Sequence, residues 1–183
     1  MSKFDSELWR GRAWARFQRA VQAGGDTKQL EKLWFVETLT VGDLEAVVNW
    51  CGSRGLEVDF LKRAGGIYDH SDKKITIVCG AKPQRQLVYL LHECGHHLIG
   101  MKEQHERFGM GYPQTDPELK KTFLHRVSCL EEELEAWHRG WKLGQRLGLQ
   151  SLTREAFDAI RLECLKTYIK WTLRRGAKED VDD

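Results

Sequence analysis

Residues 55–100 read GLEVDFLKRAGGIYDHSDKKITIVCGAKPQRQLVYLLHECGHHLIG, and a change of period inside this stretch decides the fold class. LEVDFL (56–61) is strand-like, and IYD (67–69) and ITIV (75–78) are β-rich runs on either side of the turn residues HSDKK, which predicts a hairpin. Pro83 then stands at a first-turn position. From there Leu87, Leu90, Leu91, Cys94 and Leu98 recur at helical spacing to about Gly100.

Working outward, the flanks are helical. Ser6 to Gln22 reads as a helix with Trp9, Trp14, Phe17 and Val21 as apolar residues, ended by Gly24-Gly25. A second helical stretch covers about Thr27 to Leu39. Thr40 with Asp43 then forms a capping-box pattern for a further helix to about Ser53, closed by Gly55. Beyond the quoted stretch, Lys102 to Thr115 carries Gly109, Gly111 and Pro113 and reads as a loop. Asp116-Pro117 is expected to cap a long helix to about Leu147, with room for one break. Gly148 and Ser151 punctuate before a last helix from about Thr153 to Arg175. Helices, a small sheet and helices again make an α+β class, mostly helical. The expected organisation is one domain over 1–183, with a core at about 41–147, a helical extension at 1–40 and a C-terminal helix at 151–176.

Composition excludes several classes. Of 183 residues, 41% are hydrophobic and 31% charged, with 3 Pro, which suits a folded chain and not a disordered one. The longest apolar run is Leu87 to Leu91, far short of the roughly 20 residues that span a bilayer, so no membrane association is expected. The start, MSKFDSELWRGR, is charged where a secretory leader is apolar. Five scattered cysteines without a CxxC pair argue for reduced thiols, and the expected compartment is the cytoplasm. A net charge of +2 calls for no broad basic face. Arg10, Arg12, Arg16 and Arg19 lie among tryptophans, but a solvated helix face with buried indoles explains them more simply than a nucleic-acid arm.

His92-Glu93-Cys94-Gly95-His96 is an HExxH. At this chain's His and Glu frequencies such a match arises by chance in about 2% of sequences, so context has to support it. At 3.6 residues per turn His92 and His96 lie about 40° apart on one helix face, with Glu93 beside them. The leucines and Cys94 gather on the opposite side. The helix therefore buries one face and offers two imidazoles from the other, as a zinc site requires. A flanking carboxylate can take a proton from a metal-activated water. Cys94 reads as a small buried hydrophobe, Gly95 as a point of close backbone packing, and His97 as a residue that packs or bonds locally. Ile99 and Lys102 occupy the positions that an extended three-histidine motif would fill with Gly and His, so that subclass is excluded.

The third ligand is sought in LEEELEAWHRGW (130–141), with His125 and His105 as rivals. If Leu130, Leu134, Trp137 and Trp141 form the buried stripe, Glu131, Glu135 and His138 make a second cluster able to face a cleft. Glu132 then points away from the stripe, and Glu133 lies on its other flank. Ala136 would let two helices approach beside Glu135. Tyr89, Tyr112 and His138 are candidate donors to an oxyanion, with His138 preferred for its place on this helix. ITIV (75–78) is a candidate edge strand for an extended peptide, or a strand kept for packing. In the last helix Phe157, Ile160, Cys164, Tyr168 and Trp171 repeat at spacings of three and four, which reads as core packing.

Residues 55–100 resemble the core of the ImmA/IrrE family of bacterial and phage metallopeptidases, a gluzincin-type HExxH group. The shared pattern is an extended segment, a G-x-Y-D entry to a hairpin, a β-strand and a helix carrying HE-x-G-H. The later E-x-E-A (133–136) resembles the family's downstream glutamate-alanine element. The resemblance spans roughly 41–145. It implies a zinc-dependent intracellular endopeptidase, often acting on a DNA-bound repressor or another regulatory protein. On this footing the expected ligands are His92, His96 and Glu135, with Glu131 bonding a ligating imidazole. Glu93 is the expected base and His138 the expected oxyanion donor. A protein or peptide is the expected partner, and direct nucleic-acid binding is not. The competing expectation is a zinc-containing regulatory protein that binds its target without cutting it; Glu93 speaks against it, since a structural site needs no flanking carboxylate.

Overall fold

The computed structural model describes residues 6–62, 66–109, 118 and 122–173. These residues form α1 (Ser6–Gln22), α2 (Thr27–Ser53), β1 (Glu57–Leu61), β2 (Ile67–Asp69), β3 (Lys74–Val78), α3 (Pro83–Phe108), α4 (Phe123–Arg146) and α5 (Arg154–Thr172). The class is α+β, mostly helical with one small sheet, as the change of period implied. Among the described residues no helix is long and apolar enough to cross a membrane.

The sheet order is β1-β3-β2. β2 runs antiparallel to β3 with Tyr68 opposite Ile75, closing the expected hairpin. β1 lies parallel to β3 with Phe60 opposite Ile77. β3 is thus the central strand, hydrogen-bonded on both sides, and cannot be the edge on which a peptide aligns. Its Ile75 and Ile77 are fully buried beneath α3. The core also takes Leu44 and Val47 from α2, Leu87, Leu90, Leu91 and Cys94 from α3, Trp137 and Leu143 from α4, and Phe157 and Leu165 from α5.

Three helix boundaries differ from expectation for local reasons. α2 is continuous through Thr40, whose hydroxyl donates to the Val36 carbonyl one turn back at 2.8 Å. That bond satisfies the hydroxyl inside the helix, so it caps nothing. Asp43 instead accepts from the Gln150 and Ser151 amides and from the Ser151 hydroxyl, anchoring the turn before α5. α3 extends past the expected stop: Gly100 adopts φ 71° and kinks the helix, and residues expected as loop from Lys102 to Phe108 form its second segment. α4 is unbroken and starts at Phe123, with the Thr122 side chain accepting from the His125 amide; Asp116-Pro117 lies outside the described residues.

What positions the site is the crossing of α3 and α4. A Cβ at Gly95 would collide with the Ala136 carbonyl, and one at Gly140 with the Leu91 carbonyl. Gly95 therefore does pack against another backbone. Small residues at both crossing points let the two helices meet main chain to main chain. α4 accordingly buries Glu132, Glu133, Ala136, Trp137, Gly140, Leu143 and Gly144, while Leu134 is 44% exposed.

Candidate metal centre

The crossing brings His92 and His96 of α3 against Glu133 of α4. His92 Nε2 lies 3.2 Å from Glu133 Oε2, and His96 Nε2 lies 3.5 Å from Glu133 Oε1. One ligand atom from each residue falls within 4.8 Å of the others. These three side chains could therefore hold a metal ion, and two imidazoles with a carboxylate are a donor set that suits zinc. Glu133 Oε2 is buried and accepts no hydrogen bond, an orphan that a cation would satisfy. Stacking of the Trp137 indole on the His92 ring, at 4.1 Å and 17°, fixes the ring plane.

Glu132, one residue earlier, holds the other imidazole. Its Oε1 lies 3.3 Å from His96 Nδ1 and accepts from Gln104 Nε2 at 2.6 Å. A carboxylate on the far nitrogen of a ligating histidine sets its tautomer and orientation. The electrostatics agree with this geometry. Burial would lower His96, but the Glu132 and Glu133 carboxylates carry its pKa up to about 10. Burial would raise Glu133, but His92 and His96 hold its carboxyl well below the usual range.

Glu93 stands beside this group and not in it. It is 5% exposed, and burial raises its pKa against the opposing pull of His92, His96 and the Tyr68 backbone amide. The backbone at Gly66 passes so close that a Cβ there would meet Glu93 Oε1 at 2.6 Å. β2 therefore leads the chain directly across the carboxylate, and Tyr68 ties that strand to α3 by a 2.9 Å hydrogen bond between its hydroxyl and His97 Nδ1.

Two clefts open on the group. One, of about 270 Å³, runs past Gly66, Ile67, Tyr68, His70 and Gln104; the other, of about 430 Å³, runs past Val78, Tyr89, Trp137, Cys164 and Thr167. His70 is lowered by burial and by His96. Tyr168 lines both clefts, and burial, Glu133 and Glu93 together raise its phenol.

Glu135 and His138 lie elsewhere, which corrects their expected roles. Two residues from Glu133 on a helix is a rotation of about 200°, so Glu135 faces away. Its carboxylate accepts from Arg139 Nε at 2.7 Å, and it lines a separate cleft of about 830 Å³ with His138, Arg107 and Lys142. Glu131 is exposed. His125 is buried against Trp171, and His105 is exposed on the second segment of α3; neither joins the group. Tyr112 lies outside the described residues. Cys94 is fully buried, as expected, with its sulfur 3.4 Å from Cys51 Sγ.

Bulk is a poor guide to the buried face of α4, where Leu134 is exposed while Glu132 and Glu133 are buried. Ala136, Gly140 and Gly144, spaced by four opposite Gly95, mark a close crossing and would have turned Glu132 and Glu133 inward. Tyr168 shares its spacing with Phe157, Ile160 and Cys164, which do pack in or against the core, so periodicity alone points it to packing. A scan against protein-family models and searches of curated proteins and of solved structures return no match.

Proposed function

We propose that this chain is a cytoplasmic zinc-dependent endopeptidase, holding its metal through His92, His96 and Glu133. The observation that carries the reading is one carboxylate facing both histidine Nε2 atoms while a second, Glu93, sits buried beside them and outside the cluster. Three ligands plus a free carboxylate is the arrangement of a hydrolytic site, whereas a structural site closes with four.

A zinc ion held there would act as Lewis acid toward a scissile carbonyl and make a water easier to deprotonate. Glu93 takes a proton from the attacking water as its oxygen bonds to the carbonyl carbon. It then returns that proton to the amine as the C–N bond breaks. Its raised pKa suits both halves of this cycle, since a proton carrier works best near the operating pH. The substrate is a protein or peptide. β2, unlike β3, is an edge strand of the sheet and lies against the site, so an extended segment passing the metal could pair with it. Following the family resemblance, the substrate class is a DNA-bound repressor or a comparable regulatory protein.

The test is to incubate wild type and Glu93→Gln with proteins of the same host and compare fragments. Wild type should cleave a discrete target, and Glu93→Gln should keep zinc while losing about 10²–10⁴ in turnover. Binding of a target with no fragments from either protein would favour a regulatory protein that only binds.

A further inference from the structure

The two clefts share five residues: Gly66, His92, Glu93, Glu133 and Tyr168. On the peptidase reading, which this inference rests on, His92 and Glu133 are ligands and Glu93 carries the proton. Gly66 leaves room for the Glu93 carboxylate. Tyr168 is the one member of the set without a part.

A peptide lying through both clefts would place its scissile bond where they join. Attack of water on the carbonyl carbon moves negative charge onto the carbonyl oxygen, and a positioned donor stabilises that charge. Among the five residues the choice is narrow. Ionised carboxylates only accept hydrogen bonds, a ligating imidazole has committed its inward nitrogen, and glycine has no side chain. The Tyr168 phenol is a neutral O–H donor whose present partner is the Glu133 carboxylate, the group that the proposed metal would take over. Other donors nearby each line one cleft only. The Tyr89 oxygen accepts from Arg85 Nε at 2.7 Å, which leaves its proton to donate, but it lines only the cleft that runs past Val78. The Tyr68 hydroxyl is bonded to His97, and His70 lines only the cleft beside β2. Tyr168 also comes from a firmly seated helix. α5 is capped by Thr153 and buries Phe157 at 1% and Leu165 at 3% exposure.

We propose that the Tyr168 hydroxyl is a catalytic donor, hydrogen-bonding the scissile carbonyl oxygen as it becomes an oxyanion. α5 thereby completes a site whose ligands and proton carrier come from α3 and α4. Tyr168 keeps its own proton throughout; the proton that reaches the leaving amine travels by Glu93.

The test uses two probes on zinc-loaded wild type and Tyr168→Phe. One is a phosphinic tripeptide, whose tetrahedral oxygens mimic the oxyanion. The other is a mercaptoacyl dipeptide, which reaches the metal through sulfur and places no oxygen there. Tyr168→Phe is expected to lose about 10–100-fold in phosphinate affinity while matching wild type for the thiol probe and for zinc, a scale set by the loss of one hydrogen bond to a charged oxygen. Equal phosphinate affinity in the two proteins would overturn the inference and leave the zinc reading intact. A parallel loss of zinc and of both probes would also overturn it, making Tyr168 a support for Glu133. Wild type that takes up no zinc would remove the peptidase reading, and this inference with it.

Discussion

His92 and His96 need only their helix to converge, whereas Glu132 and Glu133 need a second helix presented at the right rotation. Glu132 touches no metal position, yet it holds His96 Nδ1 and is itself held by Gln104. Glu132→Gln is therefore expected to weaken zinc affinity about 10–100-fold, measured by competition with a chromogenic chelator. Unchanged affinity would mean that the bond to His96 does not orient the ligand. The same distinction explains what was legible beforehand. His92, Glu93 and His96 share one helix, and their spacing alone puts them together. Which glutamate joins the two histidines is not legible in this way, because neighbouring glutamates differ only in angle, and the angle is set by a contact between distant segments. Tyr168 was hidden in the same way: its period belongs to the core, while its hydroxyl belongs to the site.

At the scale of elements, the α3–α4 crossing ties the chemistry to the packing. Gly140 sits against the Leu91 carbonyl and the His92 amide, so a methyl group there must push α4 off α3 at the level of the first ligand. Gly140→Ala is expected to cost about 1–3 kcal/mol as overpacking, visible as a lower denaturation midpoint. It should also lower zinc affinity by widening the gap between His92 and Glu133. Gly42→Ala makes the control, since nothing lies within 4 Å of a Cβ there. Equal effects at the two glycines would show that the crossing does not depend on close approach. The helices and strands were legible where caps and periodicity act locally, as at Ser6–Gln22 and in the hairpin. They were misread where a local signal had a distant use, as with Asp43 capping the turn before α5, or where Gly100 bends α3 instead of ending it.

For the whole molecule, the proposed zinc site implies that metal and proton compete for the same cluster. Without a metal, His96 is raised from its ordinary value to about 10 by Glu132 and Glu133. A raised histidine stabilises the fold fully below its unfolded value of about 6.5 and loses that contribution as pH climbs through the folded value. Zinc requires the unprotonated imidazole, so its binding strengthens over the same window. The rise in melting temperature on adding zinc is thus expected to be small near pH 6 and to grow toward pH 9. Thermal scans with and without zinc across that range check it; a shift independent of pH would separate metal binding from His96. Because the ligands bridge α3 and α4, the effect should appear in the global transition, with a gain of about 4 kcal/mol when free zinc is 1,000 times its Kd.

Glu133, and not Glu135, is proposed to complete a zinc site with His92 and His96. Elemental analysis of wild type, Glu133→Gln and Glu135→Gln, each dialysed against the same zinc buffer, tests it most directly. The expected result is one zinc per chain in wild type and Glu135→Gln, and a fraction of that in Glu133→Gln. Full zinc in Glu133→Gln with loss in Glu135→Gln, or no zinc in wild type, would contradict the account.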